Sequence, residues 1–194
     1  MFSATAQQIF GEVAEAGKVM GLAPYGQTEF PTREFFDIAN GKFHFKDTVP
    51  RRFPFNERWP NRTSEYEALA ASVQSGLQDA LLYLVQHLRE LCGSENLCYA
   101  GGVALNSVAN ERMIRESRFK NVYIMAAAED SGTAIGAAYH GLWQLTQHNS
   151  QRPILHDAPG RSYTSADVSA AINGTDNIHV VNSTDVISDA VELL

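Results

Sequence analysis

The amino-acid sequence predicts an α/β protein, and three observations carry that expectation. One Gly-rich elbow runs Leu97-Cys98-Tyr99-Ala100-Gly101-Gly102-Val103-Ala104-Leu105-Asn106. A second runs Glu129-Asp130-Ser131-Gly132-Thr133-Ala134-Ile135-Gly136-Ala137-Ala138. Each follows a short apolar run and leads into an Ala-rich, helix-like run, giving strand, Gly turn and helix twice over. The third observation is the run from Thr63 to Leu91, where Tyr66, Leu69, Ala70, Val73, Leu77, Ala80, Leu81, Leu84, Val85 and Leu88 repeat at helical spacing. Two elbows on neighbouring parallel strands would face the same end of a sheet, where ligands of open α/β sheets bind.

Taken in order, Thr5 to Met20 reads as a helix with Phe10, Val13, Ala14 and Gly17 near one stripe, stopped by Gly21 and Pro24. Glu15 and Lys18 share a face of it, as a surface ion pair would. Gln27 to Pro60 is an aromatic- and Pro-rich excursion. It reads either as a satellite hydrophobic cluster or as a wall or lid of a functional site. Phe43-His44-Phe45 alternates, so Gly41 to Asp47 is one arm of a small hairpin with His44 on its polar face. The long helix is capped by Thr63 or Ser64, stopped at Cys92-Gly93, and assigned to the core without chemistry.

Next come a strand from Asn96 to Ala100, a helix from Val103 to Ser117, a strand from Asn121 to Met125 and a helix from Ser131 to Gln147. His140 and His148 are eight residues apart, too far to share one metal on a single helix face. Gln151 to Gly160 reads as a linker. Thr164-Ser165-Ala166-Asp167 starts a short helix to Ile172, Ile178 to Val181 is a strand, and Ser183-Thr184-Asp185 caps a helix running to Leu194. A chain that stops within a helix reads as cut. The expected organisation is therefore a domain over 1–150, a linker over 151–160 and the start of a second α/β domain over 161–194.

The chain has 194 residues, 44% hydrophobic and 19% charged, with a formal net charge of −7. That balance suits a globular protein and argues against non-specific nucleic-acid binding. No run is long enough to span a bilayer, and Met1-Phe2-Ser3-Ala4-Thr5 lacks the basic start of a secretory signal. Cys92 and Cys98 read as reduced thiols used as small core residues, which fits a cytoplasmic protein.

The chemistry concentrates at the elbows. Glycines let a backbone approach a ligand closely, and the N–H groups of the following helix attract anions. The same Gly-Gly is also what a plain tight turn needs. Asp130 is either an N-cap or a metal- or phosphate-site carboxylate kept ionised by the helix N-terminus, and spacing alone does not separate the two.

Three ordered motifs resemble the O-carbamoyltransferase family of nodulation and antibiotic biosynthesis. They are Gly17-Lys18-Val19-Met20-Gly21-Leu22-Ala23-Pro24-Tyr25-Gly26, Ala100-Gly101-Gly102-Val103-Ala104-Leu105-Asn106-Ser107, and Asp130-Ser131-Gly132-Thr133-Ala134-Ile135-Gly136-Ala137-Ala138. The resemblance covers Phe2 to Trp143. It implies the second half of an actin-like (Hsp70-like) ATPase domain, a mixed sheet flanked by helices, followed by the opening of the small domain that handles carbamoyl phosphate. It implies transfer of a carbamoyl group from carbamoyl phosphate, through an ATP-derived carbamoyl-adenylate, to a hydroxyl of a small molecule.

Residue by residue, the resemblance sets Gly101, Gly102 and Asn106 in the nucleotide-facing loop, Asp130 beside a divalent metal (iron or magnesium), and Ser131 and Gly132 in the turn behind it. Glu15 and Lys18 match less securely, as a pair that contacts the ribose. No catalytic residue is assigned. The paired metal-binding histidines of the family, its upstream phosphate-binding turn and the motif of its small domain are missing from this sequence. The chain alone is therefore expected to be inactive and to self-associate through surfaces meant for burial. Other readings are a different actin-like ATPase or kinase, or a non-catalytic assembly module.

Overall fold

The computed structural model describes residues 1–39, 42–148, 160–173, 175–176, 178–181 and 183–193. The chain divides into two compact units, Met1–Asp157 and Ala158–Leu194. Among the described residues the architecture is mixed α/β, with helices and two small sheets.

The first unit begins with α1 (Phe2–Phe10) and α2 (Ala16–Leu22) in place of one continuous helix. The break is at Gly11, which takes the left-handed conformation (φ 82°) and donates its N–H to Gln7 O at 3.1 Å. A glycine in that conformation ends a helix at little steric cost, and here it outweighs the apolar stripe that runs across it. The two helices then turn separate faces inward, Ala6 and Ile9 from α1 and Val19 from α2.

The aromatic excursion contains the antiparallel pair β1 (Phe36–Ala39) and β2 (Lys42–Phe45), in the register Phe36↔Phe45 to Ala39↔Lys42. His44 is exposed opposite Asp37, on the polar face as expected, while Gly41 lies outside the described residues. Phe30, Phe43 and Phe53 pack against the main cluster, so the excursion is a hydrophobic flank of the core. Ser72 anchors it by accepting the N–H groups of Glu29 and Phe30 at 3.0 and 3.1 Å.

The central element is α3 (Glu67–Cys92), whose 26 residues extend about 39 Å at ~1.5 Å each. Thr63 and Ser64 do not cap it. They lie in a tight 3-10 turn (Thr63–Tyr66), and no side chain caps the helix. Burial decides the entry instead: Tyr66 is fully buried and its hydroxyl donates to Pro54 O at 2.6 Å. The other end stops where expected, at left-handed Gly93.

The first half of α3 closes one hydrophobic cluster with Leu69, Ala70 and Val73, against Ile9, Val19 and Phe35. The second half closes another with Leu81 and Val85, against Leu97, Ala109, Met113 and Phe119. Leu84 and Leu88, expected in the apolar stripe, are exposed.

From the end of α3 the chain runs through β3 (Asn96–Tyr99), α4 (Ser107–Glu116), β4 (Asn121–Ile124) and α5 (Gly132–Thr146). β3 and β4 pair in parallel, Asn96↔Asn121 to Tyr99↔Ile124, with α4 as the crossover. Alternation along β3 turns Leu97 into the second cluster and Cys98 outward. Cys92 and Cys98 are both free and exposed, which corrects their assignment to the core.

In the second unit, α6 (Ser165–Ile172) carries a reciprocal capping box between Thr164 and Asp167. α7 (Val186–Leu193) is capped by Asp185, whose Oδ1 accepts the Ser188 N–H at 3.2 Å. Residues 178–181 form no strand. A strand must satisfy its N–H and C=O groups on a neighbour, and among the described residues of this unit there is none. The linker expected over 151–160 lies outside the described residues except for Gly160.

The turn after α2 is fixed by a close approach. A Cβ on Gly26 would sit 2.1 Å from Glu67 O at the start of α3, whereas one on Gly21 meets nothing within 4 Å. Gly26→Ala is expected to cost about 1–3 kcal/mol as overpacking. Gly21→Ala, inside α2, is expected to stabilise by roughly 0.5–1 kcal/mol. Denaturant midpoints of the two variants check this, and equal midpoints would contradict it.

Candidate functional site

Parallel pairing brings the two Gly-rich elbows together at one end of the β3–β4 sheet. The Gly101 N–H donates to Ala128 O at 2.7 Å, which joins the first elbow to the chain just before the second. Gly101 adopts φ 109°, a backbone conformation that side-chain-bearing residues avoid, and nothing crowds the position where a Cβ would stand. The sequence here dictates a turn that only glycine makes easily.

After Gly101 the chain makes a tight 3-10 turn, Gly102–Leu105, and Asn106 then caps α4. The helix expected from Val103 therefore starts at Ser107. Asn106 Oδ1 accepts the Ala109 N–H at 2.9 Å. The same amide exchanges two hydrogen bonds with Gln74 of α3, at 3.0 and 2.9 Å. Asn110 Nδ2 donates to Ala104 O at 2.7 Å, and its Oδ1 is buried without a partner.

A cleft of about 500 Å³ opens beside this turn. Gly102, Val103, Leu105 and Asn106 form one wall. Ala14, Ala16, Gly17 and Met20 face them from the region of α2, while Phe2, Ser3 and Leu77 complete the lining. Among the described residues no charged side chain lines it, and its polar character there comes from backbone groups, Ser3 and the Asn106 amide. That pattern of apolar walls with few convergent donors is what a small-molecule site needs. A Cβ on Gly102 would meet nothing within 4 Å, so a ligand can come close to the backbone there.

The second elbow is built differently. A Cβ on Gly132 would sit 2.0 Å from Ala127 O, so the turn closes too tightly for any other residue. The Glu129 carboxylate accepts the Ser131 N–H at 2.9 Å and the Ser131 hydroxyl, and these bonds hold it below the usual carboxylate range. Ser131 occupies the N-cap of α5 without a side-chain cap bond. The Asp130 backbone carbonyl accepts from Thr133 N and Oγ1, at 3.1 and 2.6 Å. The Asp130 side chain is exposed and makes no hydrogen bond or ion pair among the described residues. Of the two roles left open by spacing, the cap is the one this geometry lacks.

Of the residues singled out from sequence, Gly102 and Asn106 line the cleft and Gly101 stands at its edge. Asp130, Ser131 and Gly132 do not line it and connect to it through the Gly101–Ala128 bond. Glu15 and Lys18 also stay outside the lining. They pair with each other at 2.9 Å, and Lys18 Nζ lies over the rings of Phe10 and Trp59 at 5.9 and 5.6 Å. Among the described residues no three His, Cys, Asp or Glu side chains converge to hold a metal. Asp130 offers one oxygen donor, and a metal there needs its other ligands from elsewhere.

Sequence reasoning missed Gln74 and Leu77 by treating α3 as core alone. The signal was present: Gln74 falls between Ala70 and Leu77 on the buried face, where helical spacing calls for an apolar residue.

A family model described as carbamoyltransferase N-terminus matches residues 1–139, a stretch that contains both elbows and the cleft. The chain belongs to this carbamoyltransferase family. It is 37% identical over 170 residues to an uncharacterized protein, sll1178, of Synechocystis, covering 75% of this chain and 27% of that one. It is 33% identical over 131 residues to nodulation protein NolNO of Sinorhizobium fredii, covering 62% and 19%. Nodulation protein NolO of Bradyrhizobium diazoefficiens is 32% identical over 131 residues, covering 62% and 24%. The chain thus spans between 19% and 27% of the length of these relatives.

Asn106→Ala removes a helix cap, worth about 1 kcal/mol. It also strands the buried Gln74 amide, at about 1–3 kcal/mol more. The variant is expected to lose the sum of the two in a urea titration. A loss under about 0.5 kcal/mol, the ordinary range of a surface substitution, would contradict the cap and the amide pair.

Proposed function

We propose that this chain forms the nucleotide cleft of an O-carbamoyltransferase. The reaction moves a carbamoyl group from carbamoyl phosphate, by way of an ATP-derived carbamoyl-adenylate, to a hydroxyl of a small-molecule acceptor. The observation that carries this reading is the cleft beside Gly102 and Asn106, inside the stretch that matches the carbamoyltransferase family. The match to proteins named for nodulation supports a biosynthetic transferase. Gly102 lets a ligand reach the backbone, Asn106 offers an amide donor, and apolar walls at Met20, Leu77 and Val103 take the flat, less polar part of a nucleotide.

Asp130 is the carboxylate that contributes one oxygen to a divalent cation, iron or magnesium, beside the phosphates. Hard cations favour such oxygen donors. The actin-like frame, a small-domain start over 161–194 and a cytoplasmic location complete the proposal. No described helix is long and apolar enough to cross a membrane.

A second feature favours assembly. α5 contains no buried residue, although Leu142, Trp143 and Leu145 lie along it at 45%, 40% and 88% exposure. Parallel sheets are normally covered on both faces, and among the described residues β3–β4 has only two strands. The isolated chain is therefore expected to self-associate. Sedimentation velocity should show oligomers that grow with concentration, and a monomer throughout would count against it.

The site itself is tested with Asp130→Asn in the full-length enzyme. Its side chain makes no bond among the described residues, so stability should shift by under about 0.5 kcal/mol. Carbamoyl transfer at fixed metal should fall about tenfold or more, because a charged oxygen ligand is lost. Wild-type transfer with an unchanged melting temperature would remove Asp130 from the site.

A further inference from the structure

Gln74 is a polar residue in the middle of a hydrophobic helix face, 6% exposed, and its partner Asn106 is 8% exposed. Gln74 Nε2 donates to Asn106 Oδ1 at 3.0 Å, and Asn106 Nδ2 donates to Gln74 Oε1 at 2.9 Å. The Ala109 N–H donates to the same Oδ1 at 2.9 Å. These three bonds fix which way the Asn106 amide faces. Its oxygen is committed to the start of α4 and its nitrogen to Gln74. One N–H of Nδ2 is used on Gln74, and the second makes no bond among the described residues. Asn106 is also part of the cleft wall.

One turn further along α3, Gln78 Nε2 donates to Val108 O at 3.3 Å. Asn110 Nδ2 holds Ala104 O at 2.7 Å, and Gly101 N–H holds Ala128 O at 2.7 Å. The elbow is thus pinned at its first residue and again at its last. Between the two pins, Gly102 and Val103 are exposed on the cleft wall. A buried glutamine on an apolar helix costs stability unless it is satisfied, and a leucine there would pack without that demand. The reciprocal amide pair does something a leucine cannot: it sets the sense of the Asn106 amide.

We infer that Gln74 is a positioning residue that aims the second N–H of Asn106 into the cleft, where it donates to an acceptor atom of the bound nucleotide. The inference rests on the nucleotide reading of the cleft. It adds α3 to the machinery: the helix that carries both hydrophobic clusters also orients the cleft's side-chain amide donor.

The test uses the full-length enzyme and ATP as the probe, titrated by calorimetry, with melting temperature and transfer rate measured alongside. Gln74→Met keeps the volume and removes both bonds. It is expected to weaken ATP binding about tenfold, the scale of one lost oriented donor. The rate at saturating ATP should stay within twofold, so KM rises without kcat.

Gln74→Glu adds a readout that a purely structural role would not move. Ionised, that carboxylate has no hydrogen for Asn106 Oδ1 and repels it. Protonated, it offers one O–H and one C=O, as the amide did. Burial raises the pKa of a carboxyl group, which brings protonation into a usable range. The ratio of the Gln74→Glu dissociation constant to wild type is expected to fall as pH drops from about 8 to about 5.5. If Gln74→Met does not fold, this pH series decides.

Binding of ATP by both variants within twofold of wild type at every pH would overturn the inference. Val103→Trp, which fills the cleft, separates the two levels. If it leaves ATP affinity unchanged, the nucleotide reading falls and the positioning role falls with it. If it abolishes binding while the Gln74 variants bind normally, only the positioning role falls.

Discussion

α3 is shared between two hydrophobic clusters, and most of the first unit depends on that sharing. Leu69 and Val73 are fully buried in one cluster, and Leu81 and Val85 are nearly so in the other. Each such side chain contributes about 1.5–3 kcal/mol on burial. α1, α2 and the aromatic excursion have their places because they cover the first half of α3. β3, α4 and β4 have theirs because they cover the second. The cleft lies beside α3 where one set of elements gives way to the other: Leu77 belongs to its lining, between Val73 and Leu81. The cleft thus falls where two packing clusters meet along one rigid rod, with its walls drawn from both sides.

Polar contacts then fix what packing leaves loose. A buried amide pair adds only about 1 kcal/mol net per hydrogen bond, but an amide left alone costs about 1–3 kcal/mol. That asymmetry is what makes Gln74 and Asn106 specific. Either both are present and the elbow has one shape, or one is missing and the other is stranded. A second polar link, Arg112 Nη1 to Asp79 Oδ1 at 2.7 Å, ties α4 to the same helix one turn further on. Its side chains are 27% and 34% exposed, so solvent still screens it and it adds alignment more than stability.

Much of this was legible in the sequence, and the parts that were not have physical causes. The two elbows, their parallel strands and the length of α3 followed from glycine placement and apolar period, because few alternatives satisfy both. The break at Gly11 was hidden by a stripe that continues across it: periodicity records which face is apolar, not whether the axis stays straight. Thr63 and Ser64 looked like caps because their chemistry suits one, yet burial of Tyr66 set the entry. Cys98 alternates away from Leu97, and residue type alone did not say which face the second cluster would cover. At the candidate site, the motif singles out Gly102 and Asn106 of the cleft wall, but the Gln74 contact joins residues 74 and 106, which no local pattern relates. Glu15 ends the 3-10 turn just before α2 and pairs with Lys18 as the spacing suggests, and packing sets Lys18 over Phe10 and Trp59, outside the cleft lining.

The central claim is that the cleft beside Gly102 and Asn106 binds the nucleotide. The most direct measurement is photolabelling of the full-length protein with an azido-ATP, followed by mass-spectrometric mapping of the labelled peptides. The account predicts label on peptides that contain Met20, Leu77 or Val103, competed away by unlabelled ATP. Competable label confined to peptides outside the cleft lining, with none on those three, would contradict it.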